Sequence, residues 1–308
     1  MSMPRKAPAT SREINIRRVF AAPRAAVYAA WTDPQQLPLW WGPNGFTATV
    51  HAMDVRPGGT WRMTMHGPDG RDYSNHIIYE VVEAPARLVY RFEPEPGAEP
   101  VHCTFTVTFA ERGAETLVHL KMAFPDAKAR EDNARAYHSV DGGVQHLARL
   151  AQQLGETDAA PKPQLEFTRD FAAPLKTVFA AWSEAEVLRQ WWGPRGFTCP
   201  VCEFDATPGG AVVIHMQGPD GRVYPMSATV AEIEPPLRMV WVTEPLNASG
   251  DPMFSGRIEM KFEAQGERTR VTIQIQNLWA SAEGAPFLAG AQAGWASMLD
   301  RLVERFAG

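Results

Sequence analysis

The sequence predicts an α+β protein built from two consecutive copies of one domain. The chain has 308 residues, which is long enough for two hydrophobic cores. Short motifs recur at a fixed spacing of 151 residues over most of this length. Each copy combines stretches with helical spacing of apolar residues and alternating stretches typical of antiparallel strands. These observations favour two tandem domains over a single large one.

The repeat is carried by residue types that have special backbone or packing roles. Trp40-Trp-Gly-Pro43 recurs as Trp191-Trp-Gly-Pro194, and the spacing is predicted to return to 151 at Gly143 and Gly294 after a shift late in each copy. Such repetition indicates duplication of a whole structural unit. The predicted divisions are a disordered leader at residues 1–11, domain 1 at 12–154, a linker at 155–163 and domain 2 at 164–308.

The first part of each copy is predicted to contain a strand and two short helices. The alternating stretch at Ile14–Ile16 is typical of a strand. Pro23 suits the first turn of a helix, and Val27, Ala30 and Trp31 follow with the spacing of one helical face. A second short helix is expected before the Trp-Trp-Gly-Pro turn.

The rest of each copy is predicted to form about six antiparallel strands and one long helix. Asp69-Gly70 and Asp220-Gly221 separate alternating stretches, which is a typical hairpin signal. Apolar residues then recur with helical spacing near the end of each copy, among them Leu147 and Leu302. A curved sheet that wraps around the long helix would bury both apolar faces and leave room for a cavity between them.

With this order of elements, each copy resembles the START-like helix-grip (SRPBCC) superfamily. Within it, the motifs are most similar to the C-terminal domain of the heat-shock protein 90 ATPase activator and its homologues. The resemblance rests on Ala22-Pro23, Trp31, the segments 40–43, 57–59 and 67–70, and Gly294-Trp295. It implies the helix-grip fold and the binding of apolar small molecules, but no particular reaction. The first copy departs from it, with Gly143-Val144 where the family has Gly-Trp.

Composition excludes several classes of protein. The net charge is −5 and no block of like charges occurs, which argues against a nucleic-acid partner. No apolar stretch is long enough to span a membrane, and three cysteines suit a reducing cytoplasm rather than a disulfide-rich exterior. We therefore predict a cytoplasmic protein with a small hydrophobic ligand as partner and with no cofactor or metal.

The predicted ligand cavity comprises equivalent positions in the two copies. The tryptophan pairs suit either a ligand entrance or core packing, with packing favoured. The strand after Pro-Gly-Gly presents one apolar face, which suits cavity lining and core packing equally well. Because Val212 replaces Trp61, the two interiors are predicted to differ in size. The cavity candidates are Trp40, Trp41, Trp61, Met63, Met65, Tyr73, Val144, Trp191, Trp192, Val212, Ile214, Met216, Tyr224 and Trp295.

Candidates for catalysis are few. No histidine, cysteine or serine nucleophile is retained between the copies, so no acyl-transfer site is duplicated. Tyr73, retained as Tyr224, is the candidate proton-transfer residue because it is predicted to point inward. Seven of the eight histidines lie in the first copy, which makes domain 1 the favoured working site.

Cys199-Pro-Val-Cys202 has the spacing of a redox or zinc motif. It lies in an extended stretch, where residues three apart point to opposite faces and are roughly 10 Å apart. That separation is too long for a disulfide. We therefore expect the two cysteines to be reduced, free of metal and on opposite faces of a strand.

Three hypotheses of function follow. The first is the binding of a small apolar or amphipathic molecule in a cavity between sheet and helix, without catalysis. The second is a cyclase-like or dehydratase-like enzyme that acts on a hydrophobic substrate in domain 1. The third, implied by the resemblance alone, is a module that interacts with a chaperone. The contents and accessibility of the two interiors distinguish them.

Overall fold

The computed structural model describes residues 11–93, 103–157 and 164–307. The described residues fall into two compact units, which we call domain 1 (residues 12–157) and domain 2 (residues 164–307). Residues 1–10 of the predicted leader and residues 158–163 of the predicted linker lie outside the described residues.

Domain 1 is one antiparallel sheet of seven strands with four helices. The sheet order is β1-β7-β6-β5-β4-β3-β2, so β1 and β2 form its edges. Its elements are β1 (Glu13–Phe20), α1 (Arg24–Thr32), α2 (Leu37–Trp40), β2 (Thr47–Met53), β3 (Thr60–His66), β4 (Asp72–Glu83), β5 (Arg87–Glu93), β6 (Thr104–Arg112), β7 (Glu115–Ala123), α3 (Ala127–Tyr137) and α4 (Ser139–Gln153).

Domain 2 repeats this arrangement, with the sheet order β8-β14-β13-β12-β11-β10-β9. Its elements are β8 (Leu165–Phe171), α5 (Leu175–Ser183), α6 (Ala185–Leu188), β9 (Thr198–Phe204), β10 (Ala211–Gln217), β11 (Val223–Glu234), β12 (Arg238–Pro245), β13 (Phe254–Gln265), β14 (Arg268–Ala280), α7 (Ala285–Leu288) and α8 (Ala291–Ala307). The predicted tandem helix-grip architecture is confirmed.

The predicted hairpin turns are confirmed at both sites. In domain 1 the amide of Gly67 donates to the carbonyl of Arg71, the Asp69 carboxylate accepts from the Arg71 amide at 3.1 Å, and Gly70 has φ of +78°. Gly221 takes the same conformation in domain 2. A positive φ is strained for most residues but not for glycine, which explains why this motif recurs unchanged.

The core of each domain lies between the inner face of the sheet and the helices. Alternate residues of β1 are buried, as are Val140, Leu147 and Leu150 of α4. Domain 2 buries Leu299 and Leu302 of α8 in the same way. A face of alternating apolar residues and an amphipathic helix therefore cover each other.

The two domains differ in the length of their last two strands and in the segment that precedes the last helix. The hairpin strands β6 and β7 have 9 residues each, whereas β13 and β14 have 12 and 13. Domain 1 instead has α3, which the sequence analysis did not anticipate. Asp126 caps this helix by accepting from the amide of Ala129 at 2.8 Å.

Candidate functional site

Tryptophan rings fill the centre of domain 1. The ring centroids of Trp31 and Trp40 are 4.8 Å apart, and those of Trp40 and Trp41 are 5.3 Å apart. The Trp40 indole donates to the carbonyl of Ala30 at 3.0 Å. Since Trp40 is completely buried and its only polar atom is paired, it ties α2 to α1 rather than facing an entrance.

Domain 2 has the same arrangement. The Trp191 indole donates to the carbonyl of Ala181 at 2.9 Å, and its centroid is 4.7 Å from that of Trp182. Trp192 is also buried. The repeated Trp-Trp pair is thus a conserved packing device of both copies of the domain.

An arginine of the last helix holds the Trp-Trp-Gly-Pro turn in each domain. Arg149 Nη1 lies 2.9–3.2 Å from four carbonyl oxygens between Trp41 and Phe46. Arg301 Nη1 bonds the carbonyls of Gly193, Pro194 and Phe197 at 2.7–3.3 Å. A guanidinium carries several donors in a fixed plane, which suits a turn whose carbonyls converge. Sequence comparison missed this pair because the two arginines are 152 residues apart, not 151.

This pair corrects the predicted correspondence of the last helices. With a spacing of 152, Trp295 is the counterpart of Gly143 rather than of Val144. Trp295 is half-buried and its centroid lies 5.8 Å from that of Trp192. A Cβ placed on Gly143 would lie 2.2 Å from Ile16 Cδ1, so a side chain there would require the buried Ile16 to shift. Domain 1 therefore has a glycine where domain 2 has this tryptophan, and the predicted correspondence of Val144 with Trp295 is wrong.

His146 of α4 replaces Met298 of α8 in this corrected alignment. Its Nε2 accepts from the amide of Gly42 at 2.9 Å, and its ring lies 4.5 Å from Trp41 between centroids. Burial, together with the positive charge of Arg149, lowers the pKa of His146 to about 3. A neutral imidazole that accepts a hydrogen bond from a backbone amide is a structural group rather than a general base at neutral pH.

The strand after Pro-Gly-Gly has the predicted inner face. Trp61 and Met63 of β3 are buried while Arg62 between them is exposed. Val212 and Ile214 are fully buried in the same positions of β10. Met65 and Met216, at the ends of these strands, are half-buried. Their role in lining a cavity stays a prediction.

Domain 1 contains a cluster of buried hydroxyl and indole groups that we call the phenol cluster. It comprises Tyr28 of α1, Trp61 of β3, Tyr79 of β4 and Tyr90 of β5. Tyr79 lies opposite Tyr90 in the ladder, with 6.2 Å between their ring centroids. Tyr79 shares the inner face with Ile77, which lies opposite Trp61. The groups come from four elements, so only the fold brings them together.

Three polar atoms of this cluster have no hydrogen-bond partner among the described residues. They are the hydroxyl oxygens of Tyr28 and Tyr79 and the indole nitrogen of Trp61. Trp61 is fully buried and Tyr79 is 1% exposed. An unpaired buried polar group costs about 1–3 kcal/mol, so an acceptor placed beside any of these atoms would stabilise the domain.

The phenols are neutral under physiological conditions. Burial raises the pKa of Tyr79, and the nearby Tyr28 raises it further. Burial likewise raises the pKa values of Tyr28 and Tyr90. Each group is therefore suited to donate a hydrogen bond and not to exchange a proton.

Domain 2 has apolar side chains at most of the corresponding positions. Phe179 replaces Tyr28, Val212 replaces Trp61 and Val230 replaces Tyr79, while Trp241 replaces Tyr90. Of these, Val212, Val230 and Trp241 are fully buried. Two indole nitrogens of domain 2, those of Trp182 and Trp241, are also unpaired among the described residues. Domain 1 therefore differs by its phenols, not by the presence of indoles.

The expectation that Tyr73 points inward is wrong. Tyr73 is 42% exposed, and its hydroxyl donates to the Asp69 carboxylate at 3.2 Å in the hairpin turn. Its ring lies 5.8 Å from that of Phe46, and Tyr224 contacts Phe197 in the same way. Asp69 stabilises the turn by accepting from the Arg71 amide, and the tyrosine is retained beside it at the surface.

The expectation that Cys199 and Cys202 lie on opposite faces is also wrong. Both are buried and free, and their thiols are within hydrogen-bonding distance of each other. The ladder pairs Val201 with His215 but Thr198 with Gln217, so β9 contains one extra residue. Such a bulge shifts the alternation by one position and turns both thiols inward.

The described residues lack both a cluster of metal-binding side chains and a membrane-spanning helix. No group of three or more histidine, cysteine or acidic side chains in them is placed to hold a metal ion. No helix in the same ranges is both long and apolar enough to cross a membrane.

Comparison with solved structures finds proteins that match about half of this chain over most of their own length, and a protein that matches nearly all of it. A protein from Arthrobacter aurescens is 27% identical, with a TM-score of 0.44, over 48% of this chain and 88% of that one. A protein from Mycobacterium smegmatis is 26% identical, with a TM-score of 0.42, over 48% and 93%. DynU16, a protein from the dynemicin biosynthetic locus, is 17% identical, with a TM-score of 0.37, over 96% and 98%. No curated protein matches the chain.

The family comparison covers both domains. The family described as activator of Hsp90 ATPase homolog 1-like protein matches residues 21–155 and again residues 172–307. The two matches span most of both helix-grip domains, and they confirm the resemblance inferred from the repeated motifs. The chain is a tandem member of the activator of Hsp90 ATPase homolog 1-like family.

Proposed function

We propose that domain 1 binds a small amphipathic molecule that carries at least one acceptor oxygen. The proposal rests on one observation, the unpaired buried donors of Tyr28, Trp61 and Tyr79. A carbonyl, ether or hydroxyl oxygen of a ligand would pair with them. The apolar body of the ligand would pack among the surrounding aromatic rings.

The chemistry of the site favours an uncharged ligand. The phenols donate without carrying charge, because burial raises their pKa values. A ligand acceptor removes a penalty of about 1–3 kcal/mol for each donor that it pairs. Selectivity would therefore come from the number and spacing of the acceptor oxygens.

The same features favour binding over acid–base catalysis. Tyr73, the candidate proton-transfer residue, is at the surface, and His146 is a neutral acceptor from a backbone amide. Neither group offers a proton-transfer site inside domain 1. The enzyme and chaperone-interaction hypotheses stay predictions, as does the cytoplasmic location, which the three free cysteines support.

Native mass spectrometry of the full chain, purified from its own host, tests this proposal. We expect a population with the added mass of one small molecule per chain. Tyr79→Phe should reduce the bound fraction, because it removes a donor without changing the shape of the ring. Val230→Thr alters the corresponding position of domain 2 by an isosteric change and should leave the bound fraction unchanged.

The proposal fails on either of two results. One is the absence of both a co-purifying molecule and saturable binding from a small-molecule extract of the host. The other is a bound fraction that falls with Val230→Thr and not with Tyr79→Phe, which would place the ligand in domain 2.

A further inference from the structure

Domain 2 contains a pair of thiols that its fold brings into contact. Cys199 and Cys202 both pack in the core of domain 2, where their thiols are within hydrogen-bonding distance of each other and the Cys199 thiol also donates to the carbonyl of Val201 at 3.2 Å. Their exposed fractions are 7% and 6%. An unbulged strand would separate them by roughly 10 Å, so the extra residue of β9 creates the contact.

Domain 1 provides the comparison for what the pair replaces. Val50 lies opposite Met63 in the ladder, and Cys202 lies opposite Ile214, which is the residue equivalent to Met63. Ladder position therefore makes Val50 the counterpart of Cys202. The irregularity in β2 falls after Val50, whereas that in β9 falls before Cys202. Domain 2 thus has a thiol where domain 1 has an alkyl side chain. Its bulge lies before this position in the strand, whereas the bulge of domain 1 lies after it.

The hydrogen bond within the pair distinguishes the two thiols. Arg189 follows α6, and its Nη2 donates to the carbonyl of Pro200 between the two cysteines at 3.3 Å. The hydrogen bond from Cys202 lowers the pKa of Cys199, although burial opposes it, and the Arg189 charge lowers the pKa values of both thiols. The pKa of Cys202 is raised, because it is the donor of that bond and is itself buried. Cys199 is thus the nucleophilic thiol and Cys202 the resolving one.

We propose that Cys199 and Cys202 are a site of reversible oxidation that reacts with small hydroperoxides to form a disulfide. The Cys199 thiolate attacks one peroxide oxygen, the O–O bond breaks, and the other oxygen leaves as alkoxide that takes up a proton. The Cys202 thiol then attacks the sulfenic sulfur, forming the S–S bond, and its proton leaves with the displaced hydroxide as water. Two thiols and one hydroperoxide give one disulfide, one alcohol and one water.

The position of the pair explains why a small oxidant is proposed. β9 is an edge strand of its sheet, so local opening breaks the ladder on one side only. Thr198 and Pro200 on its outer face are exposed. Hydrogen peroxide or a short alkyl hydroperoxide needs only a small opening, whereas a bulky disulfide would need the strand to separate.

The test uses the reduced full chain treated with hydrogen peroxide. Free thiols are alkylated in denaturant, the remainder is reduced and labelled with a second reagent, and the peptides are assigned by mass spectrometry. Cys103 is the internal control, because it is a buried, free cysteine of domain 1 whose pKa burial raises to about 12. We expect Cys199 and Cys202 to be protected together, at a rate at least about tenfold above oxidation of Cys103, and to be recovered with dithiothreitol.

Three variants separate the roles of the residues. Cys202→Ala should leave a sulfenic acid at Cys199 that dimedone traps, while Cys199→Ala should abolish both the disulfide and the trapped product. Arg189→Gln should slow the reaction at neutral pH, with folding checked by circular dichroism. Oxidation of the pair no faster than that of Cys103, or dimedone labelling at Cys202 instead of Cys199, would overturn the proposal.

Discussion

Removing the hydroxyl of Tyr79 is expected to stabilise the ligand-free protein. The hydroxyl oxygen is buried and has no partner among the described residues. An unpaired buried hydroxyl costs about 1–3 kcal/mol, and Tyr79→Phe removes it while keeping the ring. We therefore expect the free energy of unfolding of domain 1 to rise by about 1–2 kcal/mol, which raises its Tm by about 3–6 °C.

Differential scanning calorimetry of ligand-stripped full-length protein is the assay. The transition of domain 1 should move and that of domain 2 should stay. Phe179→Tyr supplies the converse control, because it introduces a hydroxyl at the buried domain 2 position that corresponds to Tyr28. It should lower the transition of domain 2 by an amount that corresponds to about 1–3 kcal/mol.

Tyr79→Phe should weaken ligand binding even though it stabilises the ligand-free protein. Once a ligand oxygen pairs with the Tyr79 hydroxyl, Tyr79→Phe loses one neutral hydrogen bond of about 0.5–1.5 kcal/mol in the complex and also removes the penalty of about 1–2 kcal/mol in the free protein, so binding should weaken by about 1.5–3.5 kcal/mol, or roughly 10- to 400-fold. A loss of about 1 kcal/mol or more in the ligand-free Tyr79→Phe protein would refute the reasoning. That result would mean that protein or water already pairs with the hydroxyl.

Further expectations concern the last helix of each domain. Arg149→Met should cost domain 1 about 2–4 kcal/mol in urea unfolding, and Arg301→Met should cost domain 2 a similar amount, because each loses the guanidinium bonds to its turn; an effect below 1 kcal/mol would contradict this role. The pKa of His146 is about 3 in the folded protein, against 6.5 unfolded. The contribution of its neutral ring to the free energy of unfolding is therefore intact above pH 6.5 and is lost as the pH falls from 6.5 towards 3. The loss at pH 5 is about 2 kcal/mol, and His146→Met should remove this part of the pH dependence; an unchanged slope would argue against it. Gly142→Ala should stabilise α4 by about 0.5–1 kcal/mol, because a Cβ there meets nothing within 4 Å, whereas Gly143→Ala should destabilise by about 1–3 kcal/mol. Equal effects of the two alanines in thermal unfolding would be inconsistent with this packing.

The sequence by itself determined the architecture of this protein. The repeat of turns, tryptophans and glycines established two copies, because these residues act locally and their spacing survives divergence. Asp69-Gly70 identifies a hairpin through the backbone conformation that its glycine allows. The alternation around Trp61 identifies the inner face, because side chains of a strand change sides at every residue. Such patterns need no knowledge of distant parts of the chain.

Only the tertiary structure decided the chemistry of the interiors. One extra residue in β9 turns both cysteines to the core side, a shift that simple alternation cannot anticipate. One residue of change in spacing rotates a helix position by about 100°, so Trp295 aligns with Gly143 and not with Val144. Tyr28 and Tyr79 are far apart in the chain and meet because α1 covers the inner face of the sheet. Periodicity encodes which face a residue occupies, but contacts between distant elements depend on registers that single-residue shifts can change.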